Sequence, residues 1–474
     1  MPTNFFKIRH RAANRNAIAD AITTLQGRAN YEGPELPVFL RVAPYEDNLL
    51  IDLCDPLWRV IQVNRTGWRI CTRSPVAFVR TGATRQLPVP VPMRSGSIEP
   101  LWKLLNVTAD QRPLVAGALL NFLNPWGPYF VVYYVGEQGS GKSCASRILR
   151  MLIDPNENPL RSPPREERDL LAQAASNWVI ALENLSHLPD WLSDALCRLS
   201  TGGGHSARTL YTDLDEISLA VKRPVIVNGI EDAATRPDLA ERALQLELET
   251  IPDDQRMTEK QLWAEFELAR PIIFSCLLDG LVAALRDLPG LTLEQLPRMA
   301  DAALWATAGE SVFGFTHRAF ITTYWRNIAE GAVAAVDASP VGIAIRQLLE
   351  TQTKWTGEPA ELLEKLCELA SDEIRKANTW PKSPRILSGR LNRLAQALRQ
   401  AGIGYEHFKS HGRRQITLCR VGNLASSSSS SSPPRENPLG RVALRTMRTL
   451  LRVTLGTMRT LFCSPCLKAK LEEQ

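Results

Sequence analysis

The stretch Tyr129-Phe130-Val131-Val132-Tyr133-Tyr134-Val135 runs directly into Gly136-Glu137-Gln138-Gly139-Ser140-Gly141-Lys142-Ser143. Its first part is an unbroken apolar run of strand type, and its second fits GxxxxGK[ST] at every fixed position. Behind it Cys144, Ala145, Ile148, Leu149 and Leu152 recur at helical spacing until Asp154-Pro155. Strand, glycine loop and helix in that order predict a phosphate-cradling loop, the P-loop.

The chemistry follows from the residue types. Glycines let backbone N–H groups turn inward around phosphates, and the helix N-terminus adds partial positive charge. Lys142 is expected to reach the β- and γ-phosphates, and Ser143 to offer its hydroxyl to Mg²⁺. The expected ligand is ATP, held by Gly136, Glu137, Gln138, Gly139, Ser140, Gly141, Lys142, Ser143 and Cys144.

Such a site needs a carboxylate at the end of a neighbouring strand. Trp178-Val179-Ile180-Ala181-Leu182-Glu183-Asn184 supplies the best candidate, with Glu183 and Ser143 flanking the Mg²⁺. A further strand, Arg223-Pro224-Val225-Ile226-Val227-Asn228-Gly229, ends in Asn228. Its amide is suited to orienting water against the γ-phosphate; the plainer reading is an Asn chosen for a turn before Gly229. Downstream, in Arg236-Pro237-Asp238-Leu239-Ala240-Glu241-Arg242, Arg242 is placed to serve a neighbouring subunit as an arginine finger. A surface salt bridge is the alternative there.

This order of parts, with Thr201-Gly202-Gly203-Gly204 and Arg208-Thr209-Leu210-Tyr211 between the two later strands, resembles the AAA+ core of superfamily 3 helicases. It is more closely similar to the primase–helicase-type ATPases of phages and mobile elements. The resemblance covers 100–250 well and 251–421 more loosely. It implies a β-hairpin facing DNA between those strands, with Arg208, Lys222 and His205 toward the DNA. It also admits a primase domain ahead of the ATPase, for which no acidic metal-binding pair is legible. One departure is plain: where such ATPases carry two acids, Glu183 is followed by Asn184, whose amide orients water but cannot take its proton. Either Glu183 does both jobs, or Glu137 or Asp190 helps, or hydrolysis is slow.

Outside this centre the chain divides by composition. Residues 1–96 form a basic arm, amphipathic near Ile18–Leu25, and a small antiparallel β unit closed by the extended Leu87-Pro88-Val89-Pro90-Val91-Pro92. The ATPase core is expected over 97–250, a wholly helical lid over 251–340, and a winged-helix-like basic domain over 341–421. In that last unit Trp355-Thr356-Gly357-Glu358-Pro359 introduces a helix, Ser388 caps a second, and a basic hairpin follows. Residues 382–420 hold nine Lys/Arg against one acid, Glu406. Arg390, Arg393, Arg399, Lys409, Arg413 and Arg414 are therefore the expected phosphate contacts, the alternative being a soluble basic cap. Residues 422–474 hold the run Ser426–Ser432 and a basic tail. The tail's eleven-residue repeat, Thr446-Met447-Arg448-Thr449-Leu450 and Thr457-Met458-Arg459-Thr460-Leu461, suits either a basic amphipathic helix or a dispensable extension.

Bulk numbers limit the reading. The net charge is +6, but 424–474 hold 8 basic and 3 acidic residues, leaving 48 against 47 elsewhere. A nucleic-acid argument therefore rests on local patches. No secretory start and no long apolar run are visible, and the nine cysteines are mostly scattered, which suits a reduced, cytoplasmic protein without membrane contact. The lone pair Cys463 and Cys466 is a weak signal for metal or redox use.

Together these observations predict an α/β fold and an ATP-dependent DNA translocase or helicase. It would act as a homo-oligomeric ring on single-stranded or forked DNA. Lys142, Glu183, Asn184, Asn228 and Arg242 are the expected catalytic set. Still open are a switch that loads or holds DNA without unwinding, which Asn184 favours, a P-loop kinase, and an interaction ATPase of phage defence.

Overall fold

The computed structural model describes residues 10–34, 36–185, 188–202, 205–208, 216–219, 221–229, 237–376, 380–410 and 413–420. It is a mixed α/β fold built on a parallel sheet. Four strands make that sheet: β7 (Val131–Val135), β8 (Ile180–Leu185), β11 (Val225–Gly229) and β12 (Ala243–Glu247), in the order β12-β7-β11-β8. Every residue of β7 and of β11 is buried, as expected for parallel strands covered on both faces. The acid-bearing strand β8 is therefore not the immediate neighbour of β7; the Asn228 strand lies between them. Pairing order is set by long-range contacts, which the local sequence does not encode.

The glycine loop joins β7 to the helix Lys142–Ile153. Its apolar stripe, Ala145, Ile148, Leu149 and Leu152, is buried against the sheet as the spacing predicts. Between β8 and β11 run the helix Asp190–Thr201 and an antiparallel pair, β9 (His205–Arg208) with β10 (Glu216–Leu219). Residues 209–215, between the two strands, lie outside the described residues.

The N-terminal β unit is an antiparallel meander, β2 (Val42–Tyr45), β3 (Asn48–Asp52), β4 (Val60–Val63) and β5 (Trp68–Cys71). The short strands β1 (Val38–Phe39) and β6 (Ala77–Phe78) add a parallel pair. Ahead of it the helix Arg15–Glu32 carries the Ile18–Leu25 stripe and buries none of its residues. The meander shares one apolar core with the sheet: Leu49, Ile51 and Ile61 join Leu119, Val132, Leu149, Phe274 and Phe320.

Polar bonds reinforce the join. Arg41 is fully buried; its Nε meets Asp154 Oδ1 at 3.1 Å, and its other nitrogens donate to the carbonyls of Asp52 and Arg85 at 3.0 and 3.1 Å. The second Asp154 oxygen accepts from the N–H groups of Trp178 and Val179, at the entry to β8. The proline-rich segment is pinned as well: Arg270 donates to the carbonyl of Gln86, and Ser275 to that of Val91.

Residues 251–340 are not continuous helix. They hold the helices Glu259–Asp287, Ala300–Gly309 and Ala319–Asp337, with irregular chain and short 3₁₀ turns between. The first, with Leu288–Gly290, is long and apolar enough to cross a membrane, yet most of it is buried inside the protein, as a core helix is. Thr258 and Gln261 form a reciprocal capping box at its start.

The last described unit packs round a second apolar core, including Leu348, Leu362, Leu391, Leu398, Ile416 and Leu418, to which Ala332, Ala335 and Val336 of the helix Ala319–Asp337 also contribute. Its helices are Pro340–Thr351, Pro359–Leu369, Asp372–Lys376 and Pro384–Gln400. A three-stranded antiparallel sheet completes it: β13 (Lys354–Gly357), β15 (Arg413–Arg420) and β14 (Ile403–Ser410), in that order. Trp355-Thr356-Gly357-Glu358-Pro359 does introduce a helix, Pro359–Leu369, with Glu358 in its capping box, and its first three residues also belong to β13, because β15 supplies a partner edge. One expectation is corrected here. The helix expected to start at Ser388 starts a turn earlier, where Ser383 accepts from the N–H of Ile386 and Pro384 takes the first position; Ser388 lies inside and donates to the carbonyl of Pro384.

Candidate functional site

The glycine loop has the backbone its sequence calls for. Gly136, Gly139 and Gly141 all have positive φ, at 141°, 88° and 87°. At Gly136 the space is as restrictive as the angle, since a Cβ there would stand 2.3 Å from the carbonyl oxygen of Leu248. Lys142 curls back over the loop, its ammonium donating to the carbonyl of Glu137 at 2.6 Å and to that of Gly136. Partial burial lowers its pKa from the ordinary lysine value. Ser140 is buried and its hydroxyl donates to the carbonyl of Glu137 at 2.8 Å. Ser143 and Cys144 are half-buried in the first helical turn, and burial pushes the Cys144 thiol up, so it stays protonated near neutrality. Glu137, Gln138 and Gly139 are exposed at the crest.

Three neighbours from distant sequence close round this loop, and sequence reasoning missed them. Asn106 donates to the carbonyls of Ser140 and Glu249, at 3.1 and 2.6 Å. Thr250 donates to Glu137 Oε2 at 3.3 Å. Arg256 lies over the crest, with Nη2 3.4 Å from where a Gly139 Cβ would stand, and pairs with Asp253 at 3.0 Å. Nothing in the sequence near Arg256 marks it; the chain leaving β12 carries it there.

Glu183 is half-buried near the end of β8 and Asn184 is exposed beside it. Asn228 is only 1% exposed. Its side-chain oxygen accepts from the Asn184 N–H at 2.9 Å, and its nitrogen donates to Ser146 Oγ at 3.1 Å. Asn228 is not in a turn, because β11 continues through Gly229. Asp190 is exposed at the start of its helix.

Arg242 is half-buried. Its guanidinium bonds the carbonyl of Asp238 at 2.6 Å and the Asp238 carboxylate at 2.8 Å. Arg298 shares Asp238 at 2.8 Å and also pairs with Glu241. Burial pushes the Asp238 carboxyl up, but the hydrogen bond and charge of Arg242 and the charge of Arg298 outweigh it, so the pKa stays below the usual carboxylate value. Arg236 lies outside the described residues.

The expected DNA contacts fall in two places. Arg208 ends β9, opposite Glu216 on the ladder, but its side chain and that of His205 lie outside the described residues. Lys222 is exposed; its stem crosses Gly202 and its ammonium donates to the carbonyl of Trp126 at 3.3 Å. In the C-terminal unit Arg393 and Arg399 are exposed on the helix Pro384–Gln400, and Arg390 is half-buried beside them. Lys409 and Arg414 are exposed strand residues that face each other across the β14–β15 ladder. Arg413 is exposed and pairs with Glu358 at 3.0 Å.

The residues present fit a bound nucleoside triphosphate. A glycine cradle that a Cβ would fill lies at the N-terminus of a twelve-residue helix, with Lys142 and Arg256 beside it. Among the described residues no cluster of three or more His, Cys, Asp or Glu is placed to hold a metal ion unaided.

Comparisons with known proteins bear on two stretches of the sequence. Residues 98–319 match the actinomycete integrative conjugative element replication protein, AICE RepA, and residues 341–432 match the AICE RepA C-terminal domain. No protein among the curated ones matches. Among solved structures, the apo C-terminal region of NrS-1 covers 77% of this chain and 94% of its own, at 13% identity and a TM-score of 0.34. The JCV helicase, solved with a phenoxyphenyl acetamide bound, covers 48% of this chain and 67% of its own, at 11% identity and a TM-score of 0.22. The two sequence matches are successive along the chain and are both to the replication proteins of actinomycete integrative conjugative elements.

Proposed function

We propose that the chain is an ATP-dependent DNA translocase or helicase serving the replication of such an element. The observation that carries this reading is the glycine loop over Lys142, with an acid-ended strand and an Asn-ended strand beside it in one parallel sheet. That arrangement supports an AAA+-type core. Lys142 and Arg256 would neutralise phosphate charge. Ser143 and Glu183 would hold Mg²⁺, which supplies Lewis-acid charge at the phosphates. Glu183 is the group suited to accept the proton of an attacking water. Arg242 is the candidate finger toward a neighbouring subunit of a homo-oligomeric ring, and to act so it must exchange Asp238 for a phosphate.

The test is ATP hydrolysis by the full chain with and without single-stranded DNA, with Lys142→Ala as the blank. Stimulation by DNA that vanishes in the blank supports the motor. ATP binding with little turnover in either condition moves the reading to a switch that loads or holds DNA. The specific observation favouring that second reading is Asn184, which leaves Glu183 without a second acid beside it.

Two further results are expected. Arg256→Ala should raise the KM for ATP by about tenfold, the worth of one charge-assisted hydrogen bond, with kcat little changed. A steady-state titration with ATP checks it.

The C-terminal unit supports a winged-helix reading, with the helix Pro384–Gln400 and the β14–β15 hairpin toward single-stranded or forked DNA. Replacing Arg390, Arg393 and Arg399 together by alanine should weaken DNA binding for all sequences alike. The slope of log K against log salt should flatten by about 2 units on single strands, about 0.7 per lost phosphate contact. Fluorescence anisotropy across a salt series reads both.

A further inference from the structure

The end of β8 departs from a regular ladder. Leu182 pairs with Val227, and the next pair is Leu185 with Gly229. Glu183 and Asn184 thus stand opposite the single residue Asn228, which is a β-bulge. Asn184 takes the left-handed conformation, with φ of 57°, which Asn tolerates far better than a branched residue. On the far side of the bulge β11 comes so close that a Cβ at Gly229 would stand 2.3 Å from the carbonyl oxygen of Leu185.

A bulge leaves ladder groups without partners, and here a side chain replaces the lost backbone bond. Asn228 Oδ1 accepts from the Asn184 N–H at 2.9 Å. Its Nδ2 donates to Ser146 Oγ at 3.1 Å, and that hydroxyl donates to the carbonyl of Lys142 at 2.9 Å. On the other edge of β8 the Glu183 N–H donates to the carbonyl of Arg161 at 2.9 Å. Glu183 is therefore fixed from both sides, and one relay of bonds ties its strand to the first turn behind the glycine loop.

We infer that Asn184 and Asn228 are positioning residues, a braced bulge that sets the aim of Glu183, and that Asn184 contributes through its backbone shape. This rests on the nucleotide reading of the site. It also accounts for the missing second acid: the position selects for the left-handed conformation, which Asn reaches at low cost. Bulges beside reactive groups re-aim a side chain in this way.

The test uses the full chain and two independent readouts. In steady-state hydrolysis, Asn184→Val is expected to lower kcat by at least about tenfold with the KM for ATP within about threefold, since the aim of Glu183 changes and the glycine loop does not. Asn184→Gly keeps the N–H and the left-handed backbone and should recover most of that loss. If Gly is as damaging as Val, the Asn184 amide itself takes part in the chemistry and the inference fails. The second readout needs no turnover. Hydrogen exchange at the Asn184 amide should speed up at least about tenfold in Asn228→Ala relative to the unaltered chain, and unchanged exchange overturns the brace. Hydrolysis that survives Lys142→Ala would defeat the nucleotide reading by itself, and the exchange result would still decide the brace.

Discussion

Lys142→Ala is expected to cut ATP hydrolysis by at least about 100-fold while leaving the melting temperature nearly unchanged. Removing one preorganised charge from a site where phosphate charge develops costs about 10²–10³ in rate. The folded chain loses little, because the ammonium bonds carbonyls of its own loop, at Gly136 and Glu137, and these remain reachable by water. Radiolabelled phosphate release, paired with thermal unfolding of both proteins, checks the two halves together. A large drop in melting temperature would mean that the lysine serves the fold.

Arg41→Ala should have the opposite profile, with a loss of about 3–5 kcal/mol in stability. That is the cost of breaking a buried ion pair by removing one partner. Arg41 and Asp154 are both buried, and alanine would leave the Asp154 carboxylate only the longer contact with Arg150 at 3.9 Å and the N–H groups of Trp178 and Val179, while two carbonyls lose a donor. Arg41→Lys should rescue little, because one ammonium cannot replace a planar fork that serves three acceptors. Urea unfolding followed by tryptophan fluorescence measures it. The exposed pair Arg28–Glu32 is the control, and its loss should leave the midpoint unchanged.

What was legible in the sequence was local. The strand before Gly136, the glycine loop and the helix behind it show in consecutive residues, because loop geometry restricts residue type at fixed offsets. The meander over 37–95 shows by alternation, and the C-terminal hairpin shows as two short strand-like pieces, Ile403–Phe408 and Gln415–Cys419, which the structure extends to Ile403–Ser410 and Arg413–Arg420. Pairing was not legible. That β11 lies between β7 and β8 depends on contacts between residues far apart in the chain. For the same reason the sequence shows Glu183-Asn184 only as an acid followed by an amide, while the bulge that sets the pair opposite Asn228 is visible only in the register of the two strands. β13 was missed because four residues of mixed character become a strand only where β15 offers an edge. At Ser383 the sign was present and misread: a serine followed by proline outranks the later Ser388 as a helix start. Arg256 carried no signal, since it reaches the glycine loop only through the path of the chain.

The pinned proline-rich segment bears on how the chain can be divided. A boundary drawn at 96 looks like a natural cut, with prolines ahead of it and a new pattern behind. In the folded protein the carbonyls of Gln86 and Val91 are held by Arg270 and Ser275, and the close approach at Gly96 leaves no room for a side chain against Cys276. Across that boundary Leu49, Ile51 and Ile61 complete the apolar core that also holds Leu149 and Phe274. A protease working on the native protein should find little purchase there, and a shortened version starting at Ser97 would carry an open greasy face to the solvent. The natural fragment to express for crystals or binding assays therefore begins before β1, with the meander kept in place.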